Sequence, residues 1–78
     1  MREKKLWLIL TFPTTTAAMA METLCAKESL PGRLIPVPRE ITAGCGMSWR
    51  APVESREALI AAVQEAGLPL DGTYEILL

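Results

Sequence analysis

The segment Leu6–Phe12 constrains the fold most strongly, because it is an almost unbroken run of bulky apolar residues, LWLILTF. Large apolar side chains at successive positions are typical of a strand that is covered on both faces of a sheet. The run predicts a central strand over residues 6–12, ended by Pro13, which lacks a backbone N–H donor. Thr14, Thr15 and Thr16 follow, and a threonine hydroxyl can cap the start of a helix.

Two further segments have the spacing of amphipathic helices. Apolar residues after the threonines recur at helical intervals as far as Cys25, which predicts a helix over residues 15–29 that Leu30-Pro31-Gly32 ends. A second apolar stripe predicts a helix over residues 56–66, and Gly67 follows it as a stop signal.

Three more segments are predicted to be strands. Residues 33–38 contain Pro36 and Pro38. Each proline removes a hydrogen-bond donor, so this strand is expected at the edge of a sheet. Residues 47–51 alternate between apolar and polar, which is typical of a strand with one buried face. Residues 73–78 are rich in strand-forming side chains and are predicted to be the fourth strand.

The order β-α-β-β-α-β predicts an α+β, ferredoxin-like fold with a four-stranded antiparallel sheet and both helices on one face. With 78 residues, the chain is expected to be a single domain over residues 1–78. The other face of the sheet is open. Trp7 and Ile9 are expected to reach it, with Trp49 or Met47 as further candidates. An apolar open face suits a partner or a homodimer, although scattered exposed apolar side chains need no such explanation.

Composition excludes several classes of function. The chain has no histidine, which removes Cys-His and Ser-His catalytic pairs and imidazole metal ligands. Its two cysteines are too few for a four-thiolate metal site, so no metal and no cofactor are expected. A net charge of −1 argues against nucleic-acid binding. No apolar run approaches the ~20 residues of a membrane span.

The N-terminus permits a rival interpretation. Met1–Lys5 is basic, an apolar stretch follows, and Ala18-Met19-Ala20 resembles the cleavage site of a signal peptide. The apolar stretch is short for that purpose, however, and cleavage would remove the most strand-like segment. A first strand followed by a helix is therefore favoured. The cysteine pattern is not that of a disulfide scaffold, which favours a reducing, cytoplasmic location.

The segment Arg39–Gly46 is longer than the ~2–5 residues usual for a hairpin loop. It holds Cys45 between Gly44 and Gly46, and glycine allows backbone angles and close approaches that other residues disfavour. Backbone N–H groups left open beside glycine can gather round an anion such as a thiolate. Cys45 is therefore the candidate reactive group, and the alternative is a small, inert residue in a tight turn.

The predicted topology brings this loop close to the first helix. Strands one and two of a split βαβ unit end at the same edge of the sheet, where a helix starting at Thr14 or Thr15 also begins. A helix N-terminus carries a partial positive charge of ~0.5 and free N–H donors, which favour the thiolate of a nearby cysteine. Thr14 and Thr15 are therefore expected near Cys45. Arg39 is either a binding group for an anionic substrate or acidic partner, or a solvated surface residue.

The second cysteine is predicted to be structural. Cys25 lies on the apolar stripe about ten residues into the first helix, and so ~15 Å along the axis from the helix start. A disulfide between Cys25 and Cys45 needs Cα atoms within ~7 Å and is not expected.

The stretch from Pro36 to Arg50, PVPREITAGCGMSWR, resembles the Se/S carrier protein-like family, a small bacterial family. The opening strand with its following threonines and alanines resembles that family too, so the resemblance covers nearly the whole chain. Its most specific part is Pro-Arg-x-Ile-x-x-x-Cys-Gly. The resemblance implies that Cys45 carries sulfur or selenium as a persulfide or selenosulfide. It also implies a donor, such as a cysteine desulfurase, and an acceptor protein.

Two other interpretations stay open. In the first, the protein is a thiol redox sensor that forms a disulfide through Cys45 with another protein or a second copy. In the second, it is a small binding or interaction module in which Cys45 is incidental. A free-standing enzyme is not expected, because no second catalytic group accompanies the thiol.

Overall fold

The chain folds into an antiparallel sheet with two helices in the computed structural model, which describes residues 4–42 and 44–78. The elements are, in order, β1 (Leu6–Thr11), α1 (Thr15–Glu28), β2 (Arg33–Pro36), β3 (Met47–Pro52), a 3₁₀ turn (Val53–Ser55), α2 (Arg56–Ala66) and β4 (Gly72–Leu77). The first three residues of the basic segment 1–5 lie outside the described residues, as does Ala43 of the predicted loop.

The sheet has the strand order β2-β3-β1-β4, and every pair of neighbouring strands is antiparallel. This is the α+β, ferredoxin-like arrangement that the sequence predicts. The bulky strand β1 is central, with Leu8 opposite Ala51 on one side and Glu75 on the other. The proline-bearing strand β2 lies at an edge, where a missing N–H donor leaves no gap in the ladder.

Several element ends differ from the predicted ones. Strand β1 stops one residue earlier than predicted, and β2 stops at Pro36 instead of residue 38. Strand β3 runs through Pro52, because that residue still pairs with Trp7 of the central strand. Strand β4 begins at Gly72 and ends at Leu77, one residue earlier at each end than predicted. The helix α1 ends at Glu28, because the next residue adopts a left-handed conformation.

The core lies between the sheet and the helices. Leu8, Leu10 and Phe12 of the first strand segment are fully buried and cluster with α1 and α2 side chains. The cluster members contributed by the helices are Ala17, Ala18, Met21, Cys25, Leu59 and Val63. Alternation along β1 therefore directs its even-numbered residues toward the helices and its odd-numbered residues toward the open face.

The expectation that Trp49 or Met47 reaches the open face was wrong. Trp49 is directly opposite Leu10, so both side chains face the helices, and its indole Nε1 donates a hydrogen bond to the Pro31 carbonyl at 3.1 Å. Met47, two residues away on the same strand, packs against the same core. Trp7 and Ile9 do project to the open face.

Candidate functional site

Backbone hydrogen bonds fix the loop that follows β2 at two places, its base and its tip. At the base, the Val37 N–H donates to the Gly46 carbonyl at 3.0 Å, which extends the pairing of β2 with β3 by one hydrogen bond. At the tip, the Cys45 N–H donates to the Phe12 carbonyl at 2.9 Å, which ties the loop to the end of β1. The candidate thiol therefore lies beside the point where the chain leaves the central strand.

The two flanking glycines take conformations that other residues disfavour. Gly44 has a φ of 87° and Gly46 a φ of 96°. A Cβ on Gly44 would lie 3.1 Å from the Phe12 carbonyl oxygen and 3.3 Å from the Thr11 Cβ, whereas a Cβ on Gly46 would meet nothing within 4 Å. Gly44 is thus required for close approach as well as for backbone angle, and Gly46 for backbone angle alone.

The Cys45 side chain is partly buried. It packs against the edge of the core, and its Sγ lies 3.8 Å from the Met47 carbonyl oxygen, to which the thiol donates a hydrogen bond. Only a protonated thiol can donate in this way. A thiolate would lose this contact and be repelled by the carbonyl oxygen, so ionisation favours a different orientation of the side chain.

The residue that the loop contacts lies just before the start of α1. Phe12, which accepts the hydrogen bond from Cys45, is two residues ahead of the helix cap Thr14. The Thr14 hydroxyl accepts a hydrogen bond from the Ala17 N–H at 3.1 Å, and Thr15 is the exposed first residue of the helix. Thr14 is therefore used to cap the helix, and a direct role of either threonine toward the thiol stays a prediction.

The arginines do not gather around the thiol. Arg39 is exposed in the turn after β2, and the described part of the chain offers its guanidinium no hydrogen bond or ion pair. Arg50 lies on the open face with its guanidinium 4.3 Å from the centre of the Trp7 ring. Binding of a substrate or partner by Arg39 stays a prediction.

Cys25 and Cys45 are both free thiols. Cys25 is 2% exposed in the core, which confirms its predicted structural position. Burial raises the pKa of its thiol to about 11. A protonated, enclosed thiol of this kind is inert toward nucleophilic chemistry, and Cys45 is the more exposed of the two thiols.

Sequence reasoning missed the residues that hold the loop in place. Ile41 is 7% exposed, and its N–H donates to the Pro38 carbonyl at 2.9 Å. It therefore anchors the loop while Arg39 and Glu40 stay exposed. The sequence signal for this anchor is a single large apolar side chain in a loop of otherwise small or polar residues. The Phe12 and Met47 carbonyls gave no such signal, because backbone acceptors depend on the fold.

Within residues 4–42 and 44–78, no three Cys, Asp or Glu side chains lie close enough together to hold a metal ion. Neither helix in the described part of the chain has the length and apolar character needed to cross a membrane.

Residues 8–75 match the model of a family described as "Putative Se/S carrier protein-like". The chain belongs to this family. The match runs from β1 into β4 and includes Cys45 with both flanking glycines. It confirms the resemblance that the loop motif indicates. Searches of curated proteins and of solved structures gave no match.

Proposed function

We propose that the protein is a sulfur or selenium carrier that bears its cargo on Cys45. Membership of a family named for Se/S carriage carries the proposal. The choice of Cys45 is supported by the contrast between the two free thiols, of which only this one is partly exposed and lies in a loop.

Loading of the carrier is a transfer between sulfur atoms with no net oxidation. The Cys45 thiolate attacks the outer sulfur of a persulfide on a donor protein. A new S–S bond forms at Cys45 while the donor's own S–S bond breaks, and the donor keeps the electron pair as a thiolate. A thiolate on the acceptor then removes the outer sulfur in the same way and regenerates Cys45. Selenium follows the same steps as a selenosulfide.

The loop geometry suits this cycle. In the resting structure the thiol donates to the Met47 carbonyl, a contact that ends when the thiol ionises. The side chain is then free to turn outward. Small neighbours at Gly44 and Gly46 leave room for a donor or acceptor active site to approach.

The proposed function requires two partner proteins, a donor and an acceptor, and no cofactor. A cysteine desulfurase is the donor we expect, and an acceptor protein receives the cargo. In this proposal the protein acts as a carrier and not as an enzyme, because it takes the sulfur from one protein and delivers it to another without transforming a substrate of its own. A reducing compartment such as the cytoplasm keeps such a thiol available for exchange.

Intact-mass measurement tests this function. The protein is incubated with a cysteine desulfurase and cysteine, excess cysteine is removed, and the mass is measured without reductant. We expect the wild-type protein and Cys25→Ala to gain the mass of one sulfur atom and Cys45→Ser to gain none. Selenocysteine in place of cysteine tests whether selenium is carried.

The same variants separate the rival functions. Sulfur gained equally by Cys45→Ser would refute the assignment of the carrier thiol. A wild-type protein that stays unloaded but forms a reductant-sensitive covalent dimer under mild oxidant would favour the redox sensor. Absence of both changes would leave the binding module, with Cys45 incidental.

A further inference from the structure

The face of the sheet opposite the helices has an unusual composition. This open face carries the fully buried Ile9, Thr11 and Ser48 together with more exposed side chains, namely Trp7, Arg33, Ile35, Arg50, Pro52, Tyr74 and Ile76. Their placement follows from strand pairing, because residues directly opposite one another in antiparallel strands project to the same side. Aromatic residues and arginine are also the types most enriched in the energetic centres of protein interfaces.

The centre of the open face is already closely packed. Ile9 lies between Arg50 and Tyr74 in register and is fully buried, so larger neighbours cover it. The Trp7 ring lies under two cations, with Arg50 at 4.3 Å and the Lys5 amino group at 4.7 Å from its centre. These contacts favour an orientation in which the Arg50 guanidinium lies over the Trp7 ring.

The charges on this face are unbalanced. Arg33 and Arg50 are directly opposite each other in the pairing of β2 with β3, an arrangement of like charges that destabilises a sheet. Among the described residues neither arginine forms an ion pair, and the Arg50 Nε is buried without a hydrogen-bond partner. None of the described strand residues on this side is acidic, although the whole chain has a net charge of −1. A carboxylate does lie at one end of this side, where Asp71, just before β4, accepts a hydrogen bond from the Thr11 hydroxyl at 3.2 Å.

We propose that the open face is the docking surface for an acidic segment of a partner protein. Carboxylates set between Arg33 and Arg50 would relieve the repulsion between these residues and accept charge-assisted hydrogen bonds from their guanidinium groups. The apolar residues beside them, Ile35 and Ile76, supply area for packing. A second copy of the chain fits less well, because isologous pairing sets basic centre against basic centre. This inference does not depend on the carrier function.

Amide and side-chain NMR signals provide the test, with octaglutamate as the probe. We expect shifts in the Arg33 and Arg50 Nε–H signals, the Trp7 indole signal and the β2 and β3 amides. Binding should weaken as salt is raised, because exposed charges are screened. Arg33→Gln and Arg50→Gln should each raise Kd about fivefold or more, which corresponds to the loss of one charge-assisted contact.

Arg56→Gln is the matched control, since this exposed arginine pairs with Glu75 on the helix side of the sheet. It should leave Kd within twofold of wild type. Arg33 is itself exposed, so its variant keeps the test valid even if Arg50→Gln loosens the Trp7 packing. The proposal is overturned if all three variants bind octaglutamate equally weakly, or if octaglutamate shifts no signals on the open face. It is also overturned if oligothymidylate binds more tightly than octaglutamate, or if the protein self-associates through this face.

Discussion

Cys25 and Cys45 carry the same thiol in two regions that are built in different ways. Cys25 lies on the sheet side of α1, 2% exposed among apolar side chains. Cys45 lies in a loop between two glycines of positive φ, with its N–H bonded to the Phe12 carbonyl and its side chain partly exposed. Side-chain packing therefore determines the surroundings of Cys25, whereas backbone conformation determines those of Cys45.

The difference separates a thiol that is enclosed in the core from one that is partly exposed. In the helix, burial keeps the sulfur protonated and beyond reach, so cysteine there acts as a small apolar residue. In the loop, the side chain is only partly buried against the edge of the core, and a hydrogen bond to the Met47 carbonyl orients the sulfur.

The largest expected effect is on alkylation. Under native conditions, iodoacetamide should modify Cys45 about 1,000-fold faster than Cys25. The buried thiol reacts only through unfolded molecules, which make up about one in 10³ or fewer for a protein of ordinary stability. Peptide mass spectrometry over time gives both rates, and urea above the unfolding midpoint should make them nearly equal. Similar rates in the native protein would contradict the contrast.

The next effect is on stability at alkaline pH. Burial raises the pKa of the Cys25 thiol from 9.0 to about 11. Below pH 9 the thiol is protonated in both the folded and the unfolded chain, so its contribution is fully present. Between pH 9 and 11 the unfolded thiol ionises ahead of the folded one, which lowers the free energy of unfolding by about 2 kcal/mol.

Urea denaturation at pH 8, 9.5 and 11 measures this loss. Other groups titrate in the same range, so the quantity to compare is the change with pH in wild type, Cys25→Ala and Cys45→Ser. Cys25→Ala should lose less stability than the other two as pH rises. The same loss in all three proteins would show that the core thiol does not contribute.

Local patterns predicted most of the fold because they agreed with one another. The apolar run of β1, the two prolines of β2 and the stripes of both helices each matched one position in the ferredoxin-like topology. The face of Trp49 was missed for a different reason. A short strand of alternating residues does not reveal which of its two faces is buried. That choice depends on register, here the pairing of Leu10 with Trp49.

The candidate site was predictable only in part. Flanking glycines and loop length indicated Cys45, and topology indicated that the loop lies at the end of β1. The contacts that hold the thiol are backbone carbonyls of Phe12 and Met47, which no residue type reveals in advance. Strand pairing likewise places Arg50 on the open face, beside the Trp7 ring, and that placement depends on register.

The smallest expected effect lies within the loop and tests whether backbone conformation determines its shape. Gly46→Ala should lower the free energy of unfolding by about 1 kcal/mol, because alanine disfavours positive φ. Gly44→Ala should lower it by about 2 kcal/mol, since its Cβ also meets the Phe12 carbonyl oxygen at 3.1 Å. Urea denaturation near neutral pH gives both values. Equal losses would mean that close approach of the loop to β1 contributes nothing, and that φ alone makes glycine necessary on each side of Cys45.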